Sequence, residues 1–211
     1  MIRPLHPSEA GWAAGLHARL MARSVLALFG PGTLRILYDE LSRSPHGLAL
    51  AAEASGRLEG VIAVMTDRSA FLRGLLRRRG PELVFRMVWG ALSRGACRRL
   101  LFRLPRYWAC AGQGRSGAEM LFIAVETEAR DRGLARQLIE AALDELHRRG
   151  ATFVTVSVDV EHPTIGGLLR RLGFQPSARM LFAEKQHEVF ALDLNAASSV
   201  SGTRPDPEGR A

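Results

Sequence analysis

The chain has 211 residues, 47% of them hydrophobic, and a formal net charge of +8. That suits one soluble domain, and no apolar stretch approaches the roughly 18–20 residues that span a bilayer. The start, Met1-Ile2-Arg3-Pro4, lacks the basic-then-apolar order of a secretory signal, and Cys97 and Cys110 show neither metal-ligand spacing nor a disulfide framework; two free thiols in a cytoplasmic, metal-free protein are expected. In chain order, Ile2 to Leu5 reads as a short strand. Ser8 can cap a helix from about Glu9 to Met21, with Trp12, Ala13, Leu16 and Leu20 at helical spacing. Gly30-Pro31-Gly32 breaks the chain, and a second helix from about Thr33 to Leu41 sets Leu34, Leu37 and Tyr38 on one face. Ser44-Pro45-His46-Gly47 ends it. Leu48 to Ala52 and Gly60 to Val64, separated by Gly56, read as a hairpin.

A basic segment follows. From Arg68 to Arg106 there are eleven arginines against the single acid Glu82, so the excess positive charge belongs to this stretch and not to the rest of the chain. Its apolar residues have helical spacing: Phe71, Leu72, Leu75 and Leu76 form one stripe. Gly80-Pro81 is expected to restart the chain, with Leu83, Val84, Met87, Val88 and Leu92 continuing the stripe and Leu100, Leu101 and Leu104 forming a short turn. The stretch 111–117 reads as a flexible loop.

The second half is more regular. An apolar strand over 119–126 leads to an amphipathic helix from about Leu134 to Arg149, closed by Gly150. Thr152 to Val158 is a β-branched strand, and a strand–helix–strand unit of this kind is normally a parallel crossover. A helix from about Thr164 to Leu172 ends at Gly173-Phe174, and Met180 to Ala183 and Glu188 to Leu194 are the last strands. The tail 195–211 is polar and expected to be disordered.

The strand that stops before Arg130-x-x-Gly133-x-Ala135 and then feeds a helix is a place to bind phosphate. Turn amides point outward there and the helix dipole favours an anion. This turn resembles the Arg/Gln-x-x-Gly-x-Gly/Ala pyrophosphate motif of the GCN5-related N-acetyltransferases. The length of the strand and helix around it, and Leu172-Gly173-Phe174 further on, agree with that family over roughly 118–194. The resemblance implies an α/β fold: a central mixed, mostly antiparallel sheet of six to seven strands flanked by helices, as one domain over 1–194. Residues 68–117 would be a helical Arg-rich insertion between the third and fourth strands, where the family usually has a short turn.

The resemblance also implies an enzyme that moves an acetyl or other short acyl group from acyl-coenzyme A to an amine by direct attack, with a small-molecule amine as acceptor. The amides of Arg130, Asp131, Arg132, Gly133, Leu134, Ala135 and Arg136 would hold the pyrophosphate, with the three arginines adding charge. Ala124 and Val125 would pair with the pantetheine arm as a further strand does, and the Val125 N–H would polarise the thioester carbonyl. Glu119, six residues before Val125 and eleven before Arg130, has the spacing of the catalytic glutamate in the histone-acetyltransferase branch and is the leading general base. Glu126 and Asp159 are alternatives, and Asp67 is placed to line the acceptor pocket. Two positions depart from the family: where it often has a pantetheine-binding Asn this chain has His162, and where it often has a thiolate-protonating Tyr this chain has Leu169. For the basic insertion three roles stay open: a helical lid with a wet arginine face, docking to an acyl carrier protein acting as donor, and attachment to an anionic membrane surface. Nucleic-acid binding is not indicated, because aromatics do not alternate with the arginines. A non-catalytic member that binds a cofactor or an acidic partner is the reading from a different class.

Overall fold

The computed structural model describes residues 1–22, 24, 27, 30–93, 117–161, 163–182 and 185–196. Its elements run β1 (Ile2–Pro4), α1 (Ala10–Leu20), α2 (Pro31–Arg43), β2 (Gly47–Ala54), β3 (Arg57–Met65), α3 (Arg68–Ser93), β4 (Ala118–Val125), α4 (Leu134–Arg148), β5 (Phe153–Asp159), α5 (Pro163–Arg171), β6 (Gln175–Phe182) and β7 (Lys185–Asp193). The seven strands form one sheet in the order β1-β2-β3-β4-β5-β7-β6. Every neighbouring pair is antiparallel except β4 with β5, which are parallel and joined through α4. This is the expected mixed, mostly antiparallel sheet, with the helical insertion between β3 and β4.

Both faces of the sheet are covered, which is why β2 and β3 read as near-continuous apolar runs. One face carries Leu48, Leu50, Ile62, Val64, Met120, Val154 and Val156 against Leu138, Ile139, Ala142 and Leu146 of α4. The other carries Ala49, Ala51, Val61, Ala63 and Met65 against α1, α2 and the first turns of α3. The β2–β3 turn is Ser55-Gly56, with φ of 52° and 72°. Two consecutive left-handed residues are what a tight hairpin matching the sheet twist requires.

Four local expectations are corrected. A 3-10 turn, Pro7–Glu9, precedes α1 and is capped by His6 through its ring nitrogen, with Glu9 reaching back to the His6 amide; Ser8 is not the cap. Asp67 accepts a hydrogen bond from the Ala70 amide at 2.9 Å, so it caps the start of α3 instead of lining a pocket. Gly80-Pro81 does not interrupt α3, which runs on through Pro81. The proline removes one helical hydrogen bond, but ion pairs bracket it: Arg79 and Arg86 both reach Glu82, and Arg79 also reaches Asp39 of α2 at 3.0 Å. The stripe expected on one side of α3 splits beyond the proline. Leu83 and Met87 turn inward, while Val84 and Val88 are 55% and 45% exposed beside Phe85 and Trp89.

The arginine face of α3 is also more engaged than a solvated face. Arg78 pairs with the buried Glu40 of α2, and Arg79 with Asp39, so these arginines fasten the insertion to the domain. Among the described residues, no helix is long and apolar enough to cross a membrane. Cys97, Cys110, the 100–104 turn, the 111–116 part of the expected loop and the tail from residue 197 lie outside the described residues.

Candidate functional site

The site begins with a failure of two strands to stay together. β4 and β5 pair only over Ala118–Met120 with Val154–Val156. Beyond that, β4 continues to Val125 beside β3, and β5 to Asp159 beside β7. The register of β4 on β3 steps from Met120↔Val64 to Phe122↔Ala63, which leaves Leu121 as an extra residue. A bulge of this kind bends its strand, and here it opens a wedge in the middle of the sheet. It also explains why Leu121 and Phe122 both pack on the α1–α2–α3 side while Met120 and Ile123 pack on the α4 side.

The wedge is lined by backbone. The Glu126 amide donates to the Glu59 carbonyl at 2.8 Å. Antiparallel ladders alternate, so the amides of Val125 and Ile123 point away from β3 and into the wedge. The chain then turns through a 3-10 turn, Thr127–Ala129, into α4. Asp131 (φ 61°) and Gly133 (φ 73°) are both left-handed, and Gly133 is the N-cap of α4 with no side-chain hydrogen bond to the helix. The first amides of α4 therefore face the groove without a capping acceptor, at the positive end of the helix dipole.

A Cβ on Gly133 would have only Gln137 Nε2 within 4 Å, at 3.9 Å. Space does not forbid a side chain there; the left-handed backbone does. Ala124, Val125, Arg130, Asp131, Gly133, Leu134, Ala135 and Arg136 all line one groove of about 2100 Å³ together with Glu119. Arg132 is turned away: its guanidinium meets both carboxylate oxygens of Glu59 at 2.9 Å and ties the turn to β3. Arg136 pairs with Glu140 at 2.8 Å, and Arg130 is exposed, with no ion-pair partner among the described residues. His162 lies outside the described residues.

Glu119 sits next to the apex of the wedge, on the face opposite Met120. Burial raises the pKa of its carboxyl, and the charge of Arg68 opposes that rise. The Arg68 Nη1 to Glu119 Oε2 distance is 3.3 Å, and both side chains are largely buried, at 13% and 20% exposure. The alternative bases are tied to cations. Glu126 pairs with Arg19 at 2.5 Å, and Lys185 bridges Asp159 and Glu161 at 2.5 Å each. Burial would raise the Asp159 pKa, but hydrogen bonds from Lys185 and the Glu161 amide outweigh it and hold the carboxyl below its usual value. Leu169 is fully buried in the core between α5 and the sheet.

Sequence reasoning missed three parts of the groove. Arg68 comes from the insertion and meets Glu119 only because α3 starts where β3 ends beside β4. Ser157 is the first β5 residue past the last β4–β5 pair, and its hydroxyl lies 3.3 Å from His187 Nδ1 on β7, with both residues lining the groove. That hydroxyl–imidazole pair is made by strand pairing and has no signature in a linear motif. The third part is the direction of the α3 stripe: Phe71, Leu72, Leu83 and Met87, expected as an apolar face, line the groove as a wall.

The arrangement has counterparts. The model of the acetyltransferase (GNAT) family matches residues 20–174. Solved structures with this fold include a GNAT-family acetyltransferase from Streptococcus pneumoniae, 14% identical, with a TM-score of 0.58 over 92% of this chain and 98% of that one. The ribosomal-protein-S18-alanine N-acetyltransferase of Escherichia coli is 14% identical, with a TM-score of 0.56 over 92% of this chain and 93% of that one. The spermidine/spermine N-acetyltransferase of Vibrio cholerae is 14% identical, with a TM-score of 0.58 over 95% of this chain and 98% of that one. No curated protein matches this sequence. With the family model spanning most of its length and the splayed sheet in place, this chain belongs to the GNAT acetyltransferase family.

Proposed function

We propose that the protein transfers an acetyl group from acetyl-coenzyme A to an amine, with both substrates bound at once. The observation that carries this reading is the single groove that joins the uncapped start of α4, the open edge of β4 and the buried Glu119. Its volume of about 2100 Å³ exceeds the roughly 300–1,000 Å³ of a pocket for one ligand, so there is room for a donor and an acceptor.

The donor supplies an activated thioester; the chain supplies position, charge and a proton acceptor. Amides at the start of α4 hold the pyrophosphate, with Arg130 and Arg136 beside it. The edge of β4 at Ala124 and Val125 pairs with the pantetheine arm as another strand does. Along an extended strand each residue advances about 3.3 Å, which puts Val125 roughly 20 Å and Ile123 roughly 13 Å from Glu119. The amide that polarises the thioester carbonyl must work on the same carbon that Glu119 serves. The Ile123 N–H takes that role, and Val125 keeps the arm.

Glu119 takes the proton from the attacking nitrogen as the N–C bond forms. Burial raises the pKa of this carboxyl and so makes its carboxylate a stronger base than an exposed one, and the charge of Arg68 opposes that rise. The C–S bond then breaks while Glu119 returns the proton of the amine to solvent, and the departing sulfur receives a proton from the Ser157 hydroxyl, which regains one from solvent through His187. That pair stands at the apex of the wedge, while Leu169, which has no proton to give, is packed in the core.

The experiment is calorimetry with acetyl-coenzyme A on the parent and on Gly133→Val. A β-branched residue at a left-handed position costs about 1–2 kcal/mol of backbone strain and stands in front of the helix amides. Affinity is expected to fall at least tenfold. Equal affinity in the two proteins would place the donor elsewhere.

A further inference from the structure

The far side of the groove is unlike the donor side. Past Glu119 it runs along α3, lined by Phe71, Leu72, Leu83 and Met87, with Leu37 of α2 and Met65 of β3 opposite. From Leu72 to Met87 the helix advances about 22 Å at 1.5 Å per residue, so the wall is long. Among the described residues, Glu119 is the one carboxylate on this side; the other acids of the groove, Asp131, Asp159 and Glu161, belong to the 130–136 turn and to the end of β5. Glu119 is itself matched by Arg68 at 3.3 Å.

Resting on the acetyl-transfer reading, the geometry points to an acceptor that is a primary amine carried on an extended apolar body, an alkyl or arylalkyl amine. Its nitrogen lies at Glu119 and its body along α3. A polyamine is the wrong complement for this chamber. A polycation needs several carboxylates to replace its water, and one that already faces an arginine does not supply them. An amino sugar is a poorer complement: the α3 wall meets its hydroxyls with aliphatic side chains, and of the polar groups on this side Arg19 is paired with Glu126 and Ser24 with His17. Because the donated group is an acetyl, the space is left to the acceptor and not to a long acyl chain.

The test is calorimetry of n-alkylamines from butylamine to octylamine on the protein loaded with coenzyme A, beside spermidine and glucosamine. Each buried methylene is worth about 0.8 kcal/mol, so affinity is expected to rise about fourfold per methylene. Leu72→Ser and Leu83→Ser should flatten that rise while leaving coenzyme A affinity unchanged. A flat series in the parent, or tighter binding of spermidine or glucosamine, overturns the assignment. So does octanoyl-coenzyme A binding far more tightly than acetyl-coenzyme A with the amine series flat, which gives the chamber to the acyl chain. Turnover is read separately by thiol release from acetyl-coenzyme A. A steep binding series with no acetylation of any amine would leave the apolar acceptor site standing and refute the transfer reading.

Discussion

The wall of the groove proposed for the donor, from β4 through the 130–136 turn to α4, is built from backbone, whereas the opposite wall along α3 is built from side chains. On the first wall the working groups are amides, and their direction is set by a bulge at Leu121, two left-handed residues and an uncapped helix start. On the second, the working surface is an apolar stripe on a helix held to α2 by Arg78–Glu40 and Arg79–Asp39. A backbone site tolerates almost any side chain that keeps the chain's path. A side-chain wall changes with each substitution. One protein can therefore keep a common donor and have its own acceptor.

Variants can break or sharpen that contrast. The largest effect belongs where the walls meet. Glu119→Gln keeps the shape of the side chain and loses the proton acceptor, so kcat should fall by about 10²–10⁴-fold with acetyl-coenzyme A affinity nearly unchanged. Single-turnover kinetics against calorimetry separates the two quantities. An unaltered pH–rate profile in that variant would return the role to Glu126, Asp159 or water, despite the cations that hold both carboxylates.

Smaller is the effect at the apex. Ser157→Ala removes the hydroxyl beside His187, and kcat should drop about tenfold, less than the roughly 10²–10⁴-fold typical of general acid catalysis, because a thiolate leaves readily. The loss should shrink with a donor whose thiol is more acidic; an equal loss with both donors would make Ser157 structural.

Arg68→Ala tests the join between the insertion and the base through pH. As the proposed base Glu119 would work as carboxylate, so activity should rise with pH through its pKa, which burial raises above the usual carboxylate value and the charge of Arg68 opposes. Removing Arg68 removes the lowering influence, so the rising limb of kcat/KM should move to higher pH while the plateau stays close to the parent's. Arg68→Lys should restore much of the profile. If the limb stays in place, the 3.3 Å contact between the two side chains has no bearing on the base.

The smallest effect separates two neighbours on α3. Arg77→Glu should leave the melting temperature almost unchanged, since Arg77 is exposed. Arg78→Glu should lower it clearly, because it sets a second carboxylate against Glu40, which is only 3% exposed. Equal melting temperatures would mean that the insertion is not held to α2 by this pair.

The amino-acid sequence by itself determined the elements and the strand–turn–helix that opens α4. Alternation and β-branching in 152–158, the helical stripe in 134–149 and the Arg130-x-x-Gly133 spacing are local properties, and helix starts, left-handed turns and strand edges are local too. It also placed Glu119 on the side of β4 opposite Met120, because strand side chains alternate. Only the tertiary structure decided what lies across space. Arg68 meets Glu119 through the antiparallel pairing of β3 with β4, and Ser157 meets His187 through the pairing of β5 with β7. Asp67 caps the Ala70 amide three residues on, a local signal that the sequence already carried; Arg78 and Arg79, by contrast, became fasteners because Glu40 and Asp39 lie on another helix. The wedge was out of reach for the same reason: its bulge is a mismatch of register between two strands, and register is a property of a pair.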